Sequence, residues 1–165
     1  MTTSGTWHLI QWLHYLALSL WIGGITFFSA GVAPVVHRSM ASKAVAGEIV
    51  GSVLKRLNIL ELLCCFSVLA TSLCSFRFIQ SGEKNLWYLI VAILLMGSLT
   101  FFYTFHLTPR MESLKEKIPT LDALSSSHAA KIEFDRLHRI YVKLMTFNLA
   151  LGLIVLYGSI VVLKT

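Results

Sequence analysis

The sequence predicts an all-α integral membrane protein, a four-helix bundle with two amphipathic helices on the cytoplasmic surface. The chain has 165 residues, of which 56% are hydrophobic and only 13% are charged, a composition too apolar for an ordinary soluble domain. Its apolar residues fall into four long runs, and about 20 apolar residues suffice for a helix to cross a bilayer. We therefore predict one domain with four spans, at residues 8–33, 57–79, 86–107 and 140–163.

The first span is the clearest, because the stretch from Leu13 to Pro34 carries no formal charge. A secretory signal would need basic residues before its apolar core, whereas the first basic residue here is Arg38, beyond the apolar run. We expect the segment to be retained as a membrane helix. Pro34 is expected to end or kink this helix, because proline lacks the backbone donor.

Two of the connections show apolar residues at helical spacing among charged ones. Residues 42–57 place apolar side chains on one face and charged side chains on the other, and residues 127–139 show a similar pattern. Both segments are expected to be amphipathic helices that lie on the membrane surface and lead into the next span. Pro109 is expected to end the third span, and residues 80–85 to form a polar turn.

Basic residues are distributed asymmetrically about the four spans. Arg77, Lys84 and Lys164 lie on one side, whereas the other eleven lie on the side of the two long connections. Because positive charge marks the cytoplasmic side, both termini are expected outside the cytoplasm. Orientation thus explains the formal net charge of +6 without a nucleic-acid partner. The eleven basic residues are Arg38, Lys43, Lys55, Arg56, Arg110, Lys115, Lys117, Lys131, Arg136, Arg139 and Lys143.

A polar cluster is predicted inside the bundle, toward its cytoplasmic end, from Asn58, Glu61, Arg110 and Asn148. Three of them lie on the less apolar stripes of their spans and Arg110 follows the third span, and an unpaired polar group in lipid is costly. Glu61 is the most informative, because a carboxyl group at this depth must pair with a base or keep its proton. We expect it to pair with Arg110. The pair would be either a staple between two helix ends or a site for a proton or cation.

Three histidines are candidate cofactor ligands: His14 within the first span, and His106 and His138 near the cytoplasmic ends of later spans. Each also has a structural interpretation, as a hydrogen-bonded side chain. His14 and His138 are separated by most of the bilayer thickness, so one metal ion cannot bind both, and no metal site is predicted. The three cysteines of the second span lack metal or redox spacing and are expected to be buried, inert thiols.

Most of the chain resembles the transmembrane protein 205-like family, whose bacterial members form domain of unknown function 4149. The resemblance rests on four segments in the right order: LHYLALSLWIGGITFFSAGVAPVVHRSM, AGEIVGSVLKRLN, HLTPRMESL and FDRLHRIYVKLMTFNLALGLIVLY. It implies a four-helix integral membrane protein and no established reaction. We expect the membrane to be the bacterial inner membrane. The extended middle connection of vertebrate members is absent here.

The first helix alone is also similar to that of the membrane protoporphyrinogen oxidases that carry haem b, and to that of the copper-resistance D proteins. His14 lies seven residues before Trp21, and Gly24 follows. In the oxidase family the matching histidine is a haem ligand, so this resemblance implies haem b bound at His14. A basic partner residue on a later helix is not identifiable.

Three functions remain open from the sequence. The leading hypothesis is a small non-enzymatic membrane component, either an accessory subunit of a membrane complex or a binder of a small ligand. The first alternative is a haem b protein of electron transfer or oxidation that uses His14. The second is a transporter or proton pathway through Glu61 and Asn148. No GxSxG, glycine-rich phosphate loop or HExxH motif supports hydrolase or kinase chemistry.

Overall fold

The computed structural model describes residues 3–76, 83–117 and 128–163. Within these ranges the chain is helical and contains no strand. Two helices continue through a π turn, which holds one residue more than an α turn. The elements in order are α1 (Thr3–Phe27), a π turn (Phe28–Val32), α2 (Ala33–Ser39), α3 (Lys43–Ser75), α4 (Glu83–Phe102), a second π turn (Tyr103–Leu107), α5 (Thr108–Lys117) and α6 (Ala129–Val162).

Four helices among the described residues are long and apolar enough to cross a membrane. The first spanning helix consists of α1, its π turn and α2, and the second is α3. The third consists of α4, its π turn and α5, and the fourth is α6. Each packs against the next, and the fourth packs against the first, so that they form a ring around an apolar core. The prediction of an all-α, four-helix membrane bundle is confirmed.

The two ends of the bundle differ in what they contain. We call the end with residues 40–42, between α2 and α3, the connection end. The opposite end, where the described chain begins and stops, is the terminus end. There the Gln11 amide donates to the Leu163 carbonyl at 2.6 Å, which ties the first spanning helix to the fourth.

Polar side chains turn into this bundle, and many large apolar side chains point out of it. Phe66 and Tyr157, for example, are each 72% exposed. In water such an outer surface would be unfavourable, but in lipid it contacts acyl chains, and the polar groups are the ones that need partners. Cys64 is buried, whereas Cys74 is exposed, so the expectation of three buried thiols is wrong for Cys74. The buried polar residues are His14, Asn58, Glu61, Thr71, Ser72, Ser75, Thr100, Thr108, Asn148 and Ser159.

Two prolines near the connection end each follow a π turn without ending the helix. The Thr108 N–H bonds to the Tyr103 carbonyl and closes the second π turn, and an equivalent bond closes the first. A proline ring crowds the carbonyl four residues before it. For both Pro34 and Pro109 that carbonyl lies inside the π turn, which gives it room. The expectation that Pro109 ends the third span is therefore wrong, because α5 continues it for 10 residues.

The two amphipathic segments are helical as predicted, but neither is a separate helix on the membrane surface. They are the first turns of α3 and α6, which continue without a break. At 1.5 Å per residue, the 33 residues of α3 extend about 50 Å, whereas the hydrocarbon core is about 30 Å thick. The turns that exceed the thickness of the hydrocarbon core pack against one another at the connection end. Lys55 Nζ lies 2.7 Å from a Glu112 carboxylate oxygen, and Lys115 lies over the Phe134 ring. The helix ends at this side of the bundle are therefore in contact with one another.

Some sequence predictions concern residues outside the described ranges. They are the end of the second span at Ile79, residues 80–82 of the predicted polar turn, the middle of the second long connection, and the basic residues Arg77 and Lys164. The rest of that predicted turn, residues 83–85, is wrong, because these residues form the first turn of α4.

The close approach of α3 and α4 at Gly97 generates the first testable prediction. A Cβ at Gly97 would lie 2.5 Å from Cys65 Sγ. Overpacking costs about 1–3 kcal/mol, which exceeds the roughly 0.5–1 kcal/mol that a helix gains from replacing glycine with alanine. We therefore expect Gly97→Ala to lower the midpoint of thermal unfolding in detergent, followed by circular dichroism.

Two variants control this prediction. A Cβ at Gly23 would meet nothing within 4 Å, so Gly23→Ala should leave the midpoint unchanged or raise it. Cys65→Ala removes the sulfur that a Cβ at Gly97 would meet, so the double variant with Gly97→Ala should recover most of the loss. A Gly97→Ala protein as stable as the wild type would contradict the packing of these two helices.

Candidate functional site

Side chains from all four spanning helices meet in a buried polar cluster, which we call the Glu61 centre. Glu61 lies five residues beyond Arg56, or about 8 Å along α3 at 1.5 Å per residue. It is therefore inside the apolar part of the bundle, in the half nearer the connection end. The Glu61 centre consists of Trp21, Asn58, Glu61, Thr100, Tyr103, Tyr141 and Asn148, each no more than 1% exposed.

A directed set of hydrogen bonds leads through the centre to one carboxyl oxygen of Glu61. The Asn148 amide donates to the Thr100 hydroxyl at 2.9 Å and to the Tyr103 hydroxyl at 3.1 Å. The Thr100 hydroxyl donates to Glu61 Oε2 at 3.3 Å, and the Tyr103 hydroxyl donates to the same oxygen. Glu61 Oε2 is thus held by two residues of the third spanning helix, and both are oriented by the fourth.

A second branch joins α3 to α6 one turn nearer the connection end. The Tyr141 hydroxyl donates to Asn58 Oδ1 at 2.7 Å. The rings of Tyr141 and Tyr103 pack edge to face with their centroids 5.0 Å apart, an arrangement that aromatic pairs favour. The two branches are therefore in contact, and they fix the positions of Asn58 and Glu61 on successive turns of α3.

Four buried polar atoms of the centre have no hydrogen-bond partner: Trp21 Nε1, Asn58 Nδ2, Glu61 Oε1 and Asn148 Oδ1. They come from three of the four spanning helices. Two are donors, and two are oxygens that can accept. The Trp21 indole approaches the Glu61 carboxyl group but does not reach hydrogen-bond geometry. Each unpaired buried atom lowers the stability of the fold by about 1–3 kcal/mol. Packing of the bundle alone therefore does not explain why these four atoms are present.

Arg110 is not part of the centre, contrary to the prediction that it pairs with Glu61. Its side chain is exposed, and the side chains in contact with the Glu61 carboxyl group are neutral. The π turn explains the difference, because one added residue rotates the following helix by about 100°. Leu107, the last residue of the turn, and Thr108 and Met111 after it are buried, whereas His106 and Arg110 are exposed.

His106 and His138 lie on the outer surface of the bundle, where they do not face His14. The His106 ring stacks on Phe102 with centroids 5.4 Å apart, and the His138 ring stacks on Phe134 at 6.3 Å. Both histidines are exposed. The structure therefore does not bring the three candidate ligands together at one site.

His14 belongs to a second buried cluster, the His14 centre, which consists of His14, Thr71 and Ser159 in the half of the bundle nearer the terminus end. Thr71 Oγ1 lies 2.9 Å from Nδ1 of His14, and Ser159 Oγ lies 2.9 Å from Nε2. The Thr71 hydroxyl donates its proton to the Ser67 carbonyl at 2.8 Å, so it accepts from Nδ1–H. Nε2 is then the acceptor of the Ser159 hydroxyl proton. His14 is a fully hydrogen-bonded core residue.

The described histidines do not fit a haem ligand set. An iron would need a free lone pair on a ring nitrogen, and the Nε2 lone pair of His14 is used by Ser159 in a fully buried position. His106 and His138 are exposed and face elsewhere. Among the described residues, no group of three or more His, Cys, Asp or Glu side chains could hold a metal ion.

An apolar layer separates the two centres. Glu61 and Thr71 are ten residues apart on α3, which is about 15 Å along the helix. Within the described ranges no side-chain hydrogen bond crosses the layer between them. This arrangement does not favour a continuous proton or ion path through Glu61 and Asn148. The layer consists of Leu18, Val68, Ile93, Met96 and Val155, each with no exposed surface.

Sequence reasoning identified three members of the Glu61 centre and missed the rest as site residues. Trp21, Thr100, Tyr103 and Tyr141 lie on the same inward stripes as the predicted residues, and this shared spacing was the available signal. Thr71 and Ser159 carry a weaker signal, since serine and threonine also satisfy their own helix carbonyls.

His14 provides a prediction that separates a structural role from ligand binding. His14→Ala should destabilise the protein by about 1–3 kcal/mol, because it leaves buried hydroxyl groups without their partner. Thermal unfolding in detergent measures the change. His8→Ala, at an exposed position on the same helix, is the control and should have little effect. Protein expressed with haem supplied should show no Soret band. A wild-type band that His14→Ala removes would contradict the structural role.

A family model described as "Domain of unknown function (DUF4149)" matches residues 16–119, which include five of the seven residues of the Glu61 centre. No curated protein and no solved structure matches the chain. The similarity to transmembrane protein 205 and to the haem-carrying oxidases stays a prediction. Because the matched range covers more than half of the chain, the protein belongs to the DUF4149 family.

Proposed function

We propose that this protein is a non-enzymatic component of the bacterial inner membrane that binds a small polar ligand at the Glu61 centre. The observation that carries the proposal is the set of four unpartnered polar atoms around Glu61, from three helices. Polar and ionisable residues inside a membrane bundle are costly and commonly mark functional sites. The His14 centre supplies the contrast, since there each ring nitrogen has a partner.

The proposed orientation places both termini outside the cytoplasm and the Glu61 centre in the cytoplasmic half of the bundle. The eleven basic residues that the sequence assigns to one side support it, because cytoplasmic segments carry the excess of lysine and arginine. A ligand would then reach the centre from the cytoplasmic side.

The chemistry of the centre favours binding over catalysis. Its groups are one carboxyl group, three hydroxyl groups, two amides and one indole, and no serine or cysteine nucleophile is hydrogen-bonded to a base there. Each of these residues is at most 1% exposed, so an ordinary organic substrate has no access in this conformation.

An accessory-subunit role is a second candidate, favoured by one face of the first spanning helix. Ser19, Gly23, Thr26 and Ala30 are exposed there at helical spacing, and a Cβ at Gly23 would meet nothing within 4 Å. Small residues let a second membrane helix approach closely. Purification in mild detergent should then yield a stoichiometric partner that Gly23→Leu loses. A solitary monomer would contradict this role.

An experimental structure of the protein in a lipid phase tests the leading proposal. At a resolution that shows ordered water, we expect non-protein density within hydrogen-bond distance of Glu61 Oε1 and of at least one other unpartnered atom. Asn148→Leu should weaken this density, and Glu112→Gln, a control at a carboxyl group outside the centre, should leave it unchanged. Direct pairing of the four atoms with one another, without such density, would contradict the proposal.

A further inference from the structure

We infer that the ligand of the Glu61 centre is a proton, held on Glu61 and shared with bound water, so that the centre is a proton-binding site. The inference rests on the proposed function and specifies its ligand. It excludes a metal cation, an anion and an organic molecule.

Among the described groups that face Glu61, none is a cation that could balance its charge. The nearest cationic side chains on α3, Lys55 and Arg56, are exposed, as is Arg110 on α5. A buried carboxylate without a cation is costly, and keeping a proton removes its charge. The first spanning helix presents Trp21, which does not titrate. The titratable groups facing Glu61 are Cys64 from α3, Tyr103 from the third spanning helix and Tyr141 from the fourth.

The unpartnered atoms of the centre include both donors and acceptors. A metal cation would use the acceptors Glu61 Oε1 and Asn148 Oδ1, but it would be repelled by the N–H groups of Trp21 and Asn58. An anion would use the two N–H groups and meet the carboxyl oxygen. Water both donates and accepts, so it is compatible with donors and acceptors alike, and buried water commonly makes two to four hydrogen bonds.

The helices pack closely around the centre. A Cβ at Gly97 would lie 2.5 Å from Cys65 Sγ, and one at Gly152 would lie 3.1 Å from Ile22 Cγ1 and 3.3 Å from Met96 Cε. Gly97 on α4 and Gly152 on α6 are each about one helical turn from a residue of the Glu61 centre. Packing of this kind leaves no room for an organic ligand.

The hydrogen-bond directions assign the proton to one oxygen. Glu61 Oε2 accepts from both Thr100 and Tyr103, so the proton belongs on Oε1, the oxygen without a partner. Binding converts the carboxylate and a hydronium ion into a carboxylic acid and water, and release reverses the step. The proton therefore exchanges with the surrounding water, and no other bond changes.

We expect the proton to reach the centre from the connection end, on the side of the second π turn. Thr104 lies in this turn, next to Tyr103, and its buried hydroxyl oxygen is a further polar atom without a partner. The Tyr141–Asn58 pair lies one turn nearer the connection end than Glu61. Thr104 and the Tyr141–Asn58 pair thus extend the set of buried polar groups toward the connection end.

Infrared spectroscopy of the protein in phosphatidylcholine liposomes tests the inference. At neutral pH we expect the C=O stretching band of a protonated carboxylic acid, shifted to lower frequency in D₂O. The band should persist in Glu112→Gln and be lost in Glu61→Gln. If Glu61→Gln fails to fold, Tyr103→Phe identifies the band, because loss of the hydrogen bond to Oε2 should move it to higher frequency.

Two results would overturn the inference. One is a wild-type spectrum without the band, or with a band that neither variant changes. The other is a band that decreases while the carboxylate band increases when sodium chloride replaces choline chloride, since a metal cation would then be the ligand. Density at the centre together with an ionised Glu61 defeats this inference alone. A structure without density defeats the proposed function, whatever the spectrum shows.

Discussion

The structure depends on the fact that a bilayer core contains no water to satisfy a polar side chain. Each hydroxyl, amide or carboxyl group in a span must find its partner within the protein. In this chain the large apolar side chains cover the outside, and the polar ones turn inward, where they meet at two depths. Both polar centres join several helices, so the same constraint that makes these residues costly also makes them cross-links between helices.

The two centres meet this constraint in different ways. In the His14 centre each ring nitrogen is matched by a hydroxyl group from another helix, and the cluster needs nothing further. In the Glu61 centre two hydroxyl groups donate to Oε2 of Glu61, whereas Oε1 has no hydrogen-bond partner. Three neighbouring polar atoms also have none. Removing one member of a buried polar pair is expensive, but a satisfied pair adds little net stability. An incompletely satisfied cluster therefore points to a ligand more strongly than a satisfied one.

Sequence reasoning reached the fold because four apolar runs leave few alternatives in lipid. It also placed Asn58, Glu61 and Asn148 together, since each lies at helical spacing from other polar residues on one stripe of its helix. It failed at Arg110, because hydropathy gives depth but cannot show the π turn that rotates α5. Pro109 was the available clue, since a proline that does not end a helix needs a widened turn before it. The partners of His14 were out of reach because the sequence does not state which helix faces which.

The central claim is that Glu61 faces the interior of a bundle whose outer surface contacts lipid. Nitroxide side chains, introduced singly along α3 in a cysteine-free background, test it through their collision rate with dissolved oxygen. The account predicts low rates at Glu61 and Val68 and high rates at Leu63 and Phe66, with a period near 3.6 residues. A rate at Glu61 as high as that at Phe66 would contradict it.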